Sequence, residues 1–305
     1  MGSHAALIKN KIASIQKTAQ ITRSMQMVSQ ARISGFEHKM KASEQYAKLS
    51  EDIFQSLVAN ASRIDSEVLK IFTPDYTKKT ATYIMISSDR GLAGPYNSAV
   101  IKKTMQIIND RHQSPSEYRL YVLGRIGYDA MRRQGYKIEN DYINVHDNFK
   151  IADLEEVLNE AFATFSSREV GRVEVIYHRY KNRVVQDVEQ LMLLPITSNV
   201  SLEEDNSLHP TYIFDEEADR LVGRMVPLYL NGEMQTILLN TKLCEHTMRV
   251  NAMRNATDNA KEIVDKLSLV YNAYRQSAIT QELSEIVAGS KAQKGGAKKN
   301  GKRKN

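Results

Sequence analysis

Two long stretches of this chain lack the residues that end helices, and they lie at its two ends. From Ser3 to Phe72 there is no proline and a single glycine, Gly35, and from Glu233 to Ala288 there is neither. At a rise of about 1.5 Å per residue, each stretch can form a helix of about 80 Å or more. Helices of this length can bury an apolar stripe only against a similar helix. The sequence therefore predicts that the two ends of the chain pair with each other.

Apolar residues recur at helical spacing in both stretches, so we predict two stripes that face the partner helix. They consist of Ile8, Ile12, Ile15, Ala19, Ile21, Met25 and Val28 in the first stretch, and of Ile263, Leu267, Val270 and Tyr274 in the second. Polar residues interrupt both stripes: Thr18, Thr22, Gln26 and Ser29 in the first stretch, and Asn251, Asn255 and Asn259 in the second. Because a permanent coiled coil prefers Leu and Ile at such places, we interpret the pair as a rod whose surface meets changing neighbours. An ordinary long helix with a solvated face is the alternative.

The middle of the chain alternates between strand and helix patterns. Strands are predicted at Thr80–Ser87, Tyr118–Leu123, Arg172–His178 and Val184–Met192, and helices at Asn97–His112, 124–133 and Ile151–Phe165. This order is typical of a small, largely parallel sheet with Rossmann-like winding. The predicted fold is α/β: an antiparallel coiled coil of long N- and C-terminal helices plus a central Rossmann-like α/β domain. We expect helices at 3–72 and 211–289, the α/β domain at 78–195, and a basic disordered tail at 290–305.

Composition limits the classes of protein that this chain can belong to. The net charge of +6 resides in the tail, which holds seven Lys and Arg residues and no acid, so the rest is close to neutral. The single cysteine, Cys244, excludes an internal disulfide and favours a reducing compartment. No apolar run reaches the 18 or so residues of a membrane span, and the N-terminus has no signal-peptide pattern.

No motif of catalysis or metal binding stands out. The loop Ser87–Asn97 lies between a strand and a helix, where phosphates often bind, but it lacks both the G-x-G-x-x-G pattern and the Lys-Ser/Thr of a P-loop. We therefore favour a tight turn that docks the sheet domain onto another part of the structure. No pair of histidines has metal-ligand spacing, and Cys244 and His246 point to different helix faces. We expect no cofactor, no metal and no catalytic residue.

Three segments resemble the gamma subunit of F-type ATP synthases. They are Ile8–Val28, Ser87–Asn97 and, most specifically, Met253–Val287. The likeness extends from about Leu7 to Gly289, in the family's order of terminal helix, Rossmann-like domain and terminal helix. The chain departs from the family pattern at Gln20, Ala93 and Pro95, and by its basic tail.

The resemblance implies a non-catalytic rotor shaft. Such a shaft couples rotation of the proton-driven c ring to ATP synthesis or hydrolysis in the alpha/beta hexamer, and it regulates ATPase activity and proton flow. The implied partners are three alpha and three beta subunits, the epsilon subunit and the c ring. No nucleic acid is implied, and the membrane is reached only through the complex. Because the cysteine insert of chloroplast versions and a transit peptide are missing, we expect a bacterial protein that lies peripherally on the cytoplasmic face of the plasma membrane.

The resemblance also assigns contact residues. Met25, Arg249, Arg275, Gln276 and Thr280 are expected to contact the alpha and beta subunits, and Tyr212, Phe214 and Asp215 are expected to contact the c ring and epsilon. Two other classes stay open on the residues alone. One is a coiled-coil adaptor with a nucleic-acid-binding basic tail, and the other is a nucleotide-using enzyme centred on Asp89–Asn97.

Overall fold

The computed structural model describes residues 2–59, 78–141, 143–196 and 218–300. The chain forms two compact units, one comprising Met1–Met27 with Met253–Asn305 and the other Val28–Ala252. Two long helices, α1 (Gly2–Ala59) and α5 (Ala218–Asn300), contribute to both units. Pro227 lies inside α5, near its start. Within the described residues, no helix is both long and apolar enough to cross a membrane.

The second unit contains a four-stranded sheet. Its strands are β1 (Ala81–Ile86), β2 (Tyr118–Leu123), β3 (Val173–Tyr180) and β4 (Gln186–Leu194), in the order β2-β1-β3-β4. β1 pairs in parallel with both β2 and β3, while β4 is antiparallel to β3. The largely parallel sheet and the β3–β4 turn at Asn182 are therefore as predicted. The crossovers run through α2 (Tyr96–Arg111), α3 (Arg125–Arg133) and α4 (Glu155–Ser166).

Helices cover both faces of this sheet, which explains why β1 is buried at all six positions. Side chains on one face, such as Tyr83 and Met85, pack with residues of α2 and α3. Those on the other face, such as Ile84 and Ile86, pack with α4 and with the α5 segment that includes Leu230 and Met234. The long helix α5 is thus itself one layer of the Rossmann-like domain.

In the first unit, α1 and α5 run antiparallel. The ring of His4 lies against that of Tyr274, and the hydroxyls of Thr22 and Thr257 are hydrogen-bonded at 2.7 Å. The least exposed residues of α1 recur at alternating steps of three and four residues: Ala5, Ile8, Ile12, Ile15, Ala19, Thr22 and Gln26. This is the period of 3.5 residues that defines a coiled-coil seam. The predicted antiparallel coiled coil is therefore present.

Part of each predicted stripe was wrong. Ile8, Ile12, Ile15 and Ala19 lie in the seam, but Ile21 and Val28 are 61% and 57% exposed. On α5, Leu267 is half-buried, whereas Ile263, Val270 and Tyr274 are exposed. Thr22, Gln26 and Ser29, which seemed to interrupt the stripe, continue it at the regular period, and Asn251, Asn255 and Asn259 lie on the exposed face of α5. The seam follows the period of the helix rather than the polarity of individual residues.

In the second unit, the same two helices also pack in antiparallel order. Ile33 and Phe36 of α1 lie in one apolar cluster with Leu239, Leu243 and Val250 of α5. Further along, the hydroxyls of Ser43 and Thr236 are hydrogen-bonded at 2.7 Å.

The helices α1 and α5 cover most of the predicted ranges 3–72 and 211–289. α1 is described as far as Ala59, so 60–72 of the predicted helix lie outside the described residues, as do 211–217 of the predicted C-terminal helix. The helix α5 extends to Asn300, so residues 290–300 of the basic segment are helical rather than irregular.

Candidate functional site

The loop of residues 87–97, which follows β1, is held in one conformation by its own polar groups. The side chain of Asn97 accepts a hydrogen bond from the amide N–H of Ser88 at 3.0 Å and donates to the Ser88 hydroxyl at 2.8 Å. A carboxylate oxygen of Asp89 accepts from the amide of Arg125 at 3.1 Å. These bonds close the loop on itself and tie it to the start of α3.

This loop docks onto α5. Gly94 adopts φ +59°, and a Cβ placed on it would lie 3.6 Å from the Cβ of Ala252 and 3.9 Å from the carbonyl oxygen of Met248. Next to it, Ala93 and Tyr96 form a buried cluster with Cys244. The prediction that this loop is a turn that docks the sheet domain is confirmed, and its partner is α5.

Buried rings and a buried thiol line the docked side of the loop. Tyr96 stacks on His178 with 4.4 Å between ring centroids, and Nε2 of His178 is hydrogen-bonded to the Tyr96 carbonyl oxygen at 2.7 Å. Burial lowers the pKa of His178 and raises the pKa of Tyr96. Burial likewise raises the pKa of the Cys244 thiol. All three groups are thus neutral near pH 7, which suits packing better than nucleophilic or acid–base chemistry.

A buried ionic network lies beside the docked loop. A stripe of α5 carries Lys242, Glu245 and Arg249, each under 10% exposed. The carboxylate of Glu245 accepts from Lys242 Nζ at 2.8 Å and from Arg249 Nη2 at 2.7 Å. Burial alone would raise the pKa of Glu245, but the two cations outweigh it and hold this pKa below its usual value. The carboxylate is therefore charged and fully paired.

The network continues through Asp147, in the segment between α3 and α4. Asp147 Oδ1 lies 3.1 Å from His246 Nε2, and the other carboxylate oxygen is paired with Arg32 of α1. Burial, reinforced by the nearby cations, lowers the pKa of His246 to about 4. The imidazole is therefore neutral at physiological pH and donates its Nε2 proton to Asp147. Its ring stacks on Phe36 at 5.5 Å.

Sequence analysis missed this network, although its signal was present. Lys242, Glu245 and Arg249 are spaced by three and four residues, which places them on one helix face, with the acid between two bases. Neither the burial of that face nor the role of Asp147 follows from the sequence. Across the described residues, no group of three or more His, Cys, Asp and Glu residues is placed to hold a metal ion.

The structure places the predicted contact residues in two different environments. Met25 is half-buried, and Arg275, Gln276 and Thr280 are exposed on α5, where Thr280 donates to the Gln276 carbonyl at 2.9 Å. Arg249, by contrast, is only 6% exposed, and its guanidinium faces Glu245 and the carbonyl of Arg90 in the same chain. Tyr212, Phe214 and Asp215 lie outside the described residues.

The end of α5 in the first unit exposes an apolar face. Every residue from Ile279 to Ser290 is exposed, and Ile279, Leu283, Ile286 and Val287 recur at the spacing of one helix face. A run of large exposed apolar residues on one face marks an interaction surface more often than a solvated one.

Comparison with protein families identifies the family of this chain. A family model described as ATP synthase matches residues 4–292, which is nearly the whole chain. The matched range includes the sheet and most of both long helices. It gives no support to a coiled-coil adaptor that binds nucleic acid.

Solved structures with this fold include rotor parts of mitochondrial ATP synthases. A chain from the Euglena gracilis OSCP/F1/c-ring complex aligns with a TM-score of 0.67 at 18% identity, over 98% of this chain and 97% of that one. A chain from the Tetrahymena thermophila mitochondrial ATP synthase central stalk and c ring aligns with a TM-score of 0.59 at 20% identity, over 77% of this chain and 99% of that one. A chain from the Euglena gracilis rotor aligns with a TM-score of 0.61 at 16% identity, over 92% of this chain and 100% of that one. At these identities the likeness shows the fold.

Proposed function

Since this chain belongs to the ATP synthase family as a gamma subunit, we propose that it is the central rotor shaft of an F-type ATP synthase. Proton-driven rotation of a c ring turns the shaft, and its asymmetric surface drives the catalytic sites of an alpha/beta hexamer through successive states. Each orientation of the shaft stabilises one state of each site, because its contacts differ from state to state. ATP hydrolysis drives the same cycle in reverse. The shaft thereby also sets ATPase activity and proton flow.

One observation in particular supports this proposal: the apolar residues that the helices of the first unit expose. A helix pair that satisfied all its apolar surface internally would have no reason to carry Ile279, Leu283, Ile286 and Val287 on an exposed face. A shaft that turns inside a ring needs an apolar surface there, because apolar contact is non-directional and lets the two surfaces slide. The pairing of the helices through a regular seam supplies the stiffness.

Contacts that depend on angle are proposed for the polar residues of the same region. Arg275, Gln276 and Thr280 are exposed and lie within six residues of one another on α5, and Met25 is half-buried on α1. Exposed ion pairs contribute about 0–1 kcal/mol each, so they can form and break at every step. The ring contact predicted for Arg249 would require its guanidinium to leave Glu245.

The contacts with the c ring and epsilon are assigned to Tyr212, Phe214 and Asp215. These residues precede the described start of α5 at Ala218. Crosslinking from a cysteine at position 214 in the intact complex tests this assignment. The proposal expects adducts with epsilon or the c ring, and adducts with alpha or beta alone would contradict it.

The proposed shaft performs no chemistry. Supporting this, the buried thiol of Cys244 and the buried imidazole of His178 at the docked loop are neutral and packed, and the loop's Gly94 lies against α5. The purified chain should neither bind nor hydrolyse ATP, measured by equilibrium dialysis and phosphate release. Turnover that scales with the purity of the chain would identify an enzyme instead.

The proposed location is the cytoplasmic face of a bacterial plasma membrane, peripheral and through the complex. The absence of a chloroplast-type cysteine insert supports it, since the chain has only Cys244. The solved complexes with this fold are mitochondrial, which makes a mitochondrial membrane the competing location. Fractionation of the source cells separates the two.

The decisive experiments measure assembly of the complex and the coupling of ATP hydrolysis to proton pumping. The chain should co-purify with alpha, beta and epsilon, and membrane vesicles that lack it should hydrolyse ATP without pumping protons. Met25→Lys places a charge at the proposed bearing surface, so pumping per ATP should fall while hydrolysis is largely kept. Equal loss of pumping and hydrolysis would count against a contact role for Met25.

A further inference from the structure

Helix α5 buries a stripe of charged and polar side chains that the rotor proposal leaves unused. Lys242, Glu245, His246 and Arg249 follow one another at helical spacing and are 2%, 4%, 4% and 6% exposed. Apolar residues are the usual choice for such a stripe. Replacing a buried ion network by apolar residues of similar volume is often neutral or even stabilising. Stability is therefore a weak explanation for its presence.

Glu245 is the centre of this network. Its two carboxylate oxygens hold one cation each, Lys242 at 2.8 Å and Arg249 at 2.7 Å. The two cations then extend in different directions. Arg249 Nη2 lies 3.5 Å from the Arg90 carbonyl in the docked loop, and Lys242 Nζ lies 3.9 Å from Asp147.

The network carries charges of both signs. Lys242, Glu245 and Arg249 are buried, Asp147 is half-buried, and His246 is neutral. The half-exposed Arg32 adds a further cation at the surface, paired with Asp147. Removing one member therefore leaves an uncompensated buried charge.

We propose that Glu245 is a positioning residue for torque transfer. Through Lys242 and Arg249, Glu245 fixes the angle of α5 against the docked loop and the Asp147 segment. This inference rests on the rotor function proposed above. Apolar packing resists separation of two surfaces but has little preference for direction. Hydrogen bonds do prefer a narrow range of angles, and His246 Nε2 makes one with Asp147 across this junction at 3.1 Å. Load passes between the sheet and α5 through their apolar layer and also across this junction, and only the junction supplies directional contacts that resist rotation of α5.

The test uses two variants of the chain in the assembled complex, in membrane vesicles. Glu245→Gln keeps the shape and removes the carboxylate that Lys242 and Arg249 share, so the melting temperature of the full chain should fall by about 5–10 °C. Protons pumped per ATP should fall by about half or more, because Lys242 and Arg249 are no longer held toward Asp147 and the docked loop. Asp187→Asn is the matched control. It removes an exposed ion pair with Lys181 in the same unit and should change neither quantity.

The second variant separates positioning from stability. Replacing the three charges together, by Lys242→Met, Glu245→Leu and Arg249→Met, should restore the melting temperature to at least the wild-type value. Pumping per ATP should stay low, since the directional contacts are gone. Restored pumping in the triple variant would overturn the proposal, and so would wild-type pumping in Glu245→Gln. If Glu245→Gln does not assemble, the triple variant decides alone. If vesicles that lack the chain pump as well as vesicles that contain it, the rotor function fails rather than the role of Glu245.

Discussion

The buried imidazole of His246 makes a quantitative prediction about pH. Its pKa is lowered from 6.5 to about 4, first by burial and then by the cations Arg249, Lys242 and Arg32, against an opposing effect of Glu245. Between pH 6.5 and 4, the unfolded chain binds a proton at this residue that the folded chain does not. Stability therefore falls as the pH falls through this window. From pH 7.5 to pH 5, the loss at this one residue is about 2 kcal/mol.

The assay is urea unfolding of the full chain at pH 7.5 and pH 5, followed by circular dichroism. His246→Gln retains an N–H donor for Asp147 but does not titrate, so the drop in unfolding free energy between the two pH values should shrink by about 2 kcal/mol. The pKa values of His112 and His178 are also lowered, first by burial, so some pH dependence remains in the variant. His38→Gln, at an exposed position of α1, is the control and should leave the drop unchanged. An equal drop in wild type and His246→Gln would refute the argument that this histidine is buried and neutral.

Two further perturbations follow from the packing. Gly124→Ala should destabilise the chain by more than about 2 kcal/mol, because φ is +88° and the new Cβ would lie 2.3 Å from the Ser87 carbonyl oxygen. Gly35→Ala, with open space around the new Cβ, should stabilise α1 by about 0.5–1 kcal/mol. Equal effects of the two variants on the free energy of unfolding in urea would contradict this. In the seam, Thr22→Val or Thr257→Val alone should cost about 0.5–1.5 kcal/mol, and the double variant should cost less than the sum of the two, because both single variants lose the same hydrogen bond between the helices. A double variant as unstable as the sum of the two single variants would show that the two hydroxyls do not interact.

The sheet and the helix pairing could be predicted because both depend on patterns that the sequence states directly. β2 was predicted over its observed bounds, since its buried run ends at Gly124. The antiparallel pairing followed from two matched stretches without helix breakers. The residues of the seam were harder to predict, because polarity favours Ile21 over Thr22 as the residue that faces the partner helix. The partner hydroxyl of Thr257, which makes Thr22 acceptable there, is 235 positions away.

The junction around Glu245 lay beyond sequence reasoning for a physical reason. A helix face that carries Lys242, Glu245 and Arg249 has the same sequence pattern whether it faces water or a protein interior. Only the tertiary structure places Asp147 and the docked loop against it. The same burial leaves Arg249 only 6% exposed, whereas Arg275, Gln276 and Thr280 are exposed.

The most direct test of the shaft function compares ATP turnover in the intact complex before and after oxidation of two cysteine variants. The first, Thr22→Cys with Thr257→Cys, joins the two helices at hydroxyls that are 2.7 Å apart, while the second joins a cysteine at the exposed Thr280 to one on the surrounding ring. If the helix pair turns as one body inside the ring, the first crosslink leaves turnover intact. The second stops turnover until a reductant is added. Full turnover with the chain fixed to the ring would contradict the account.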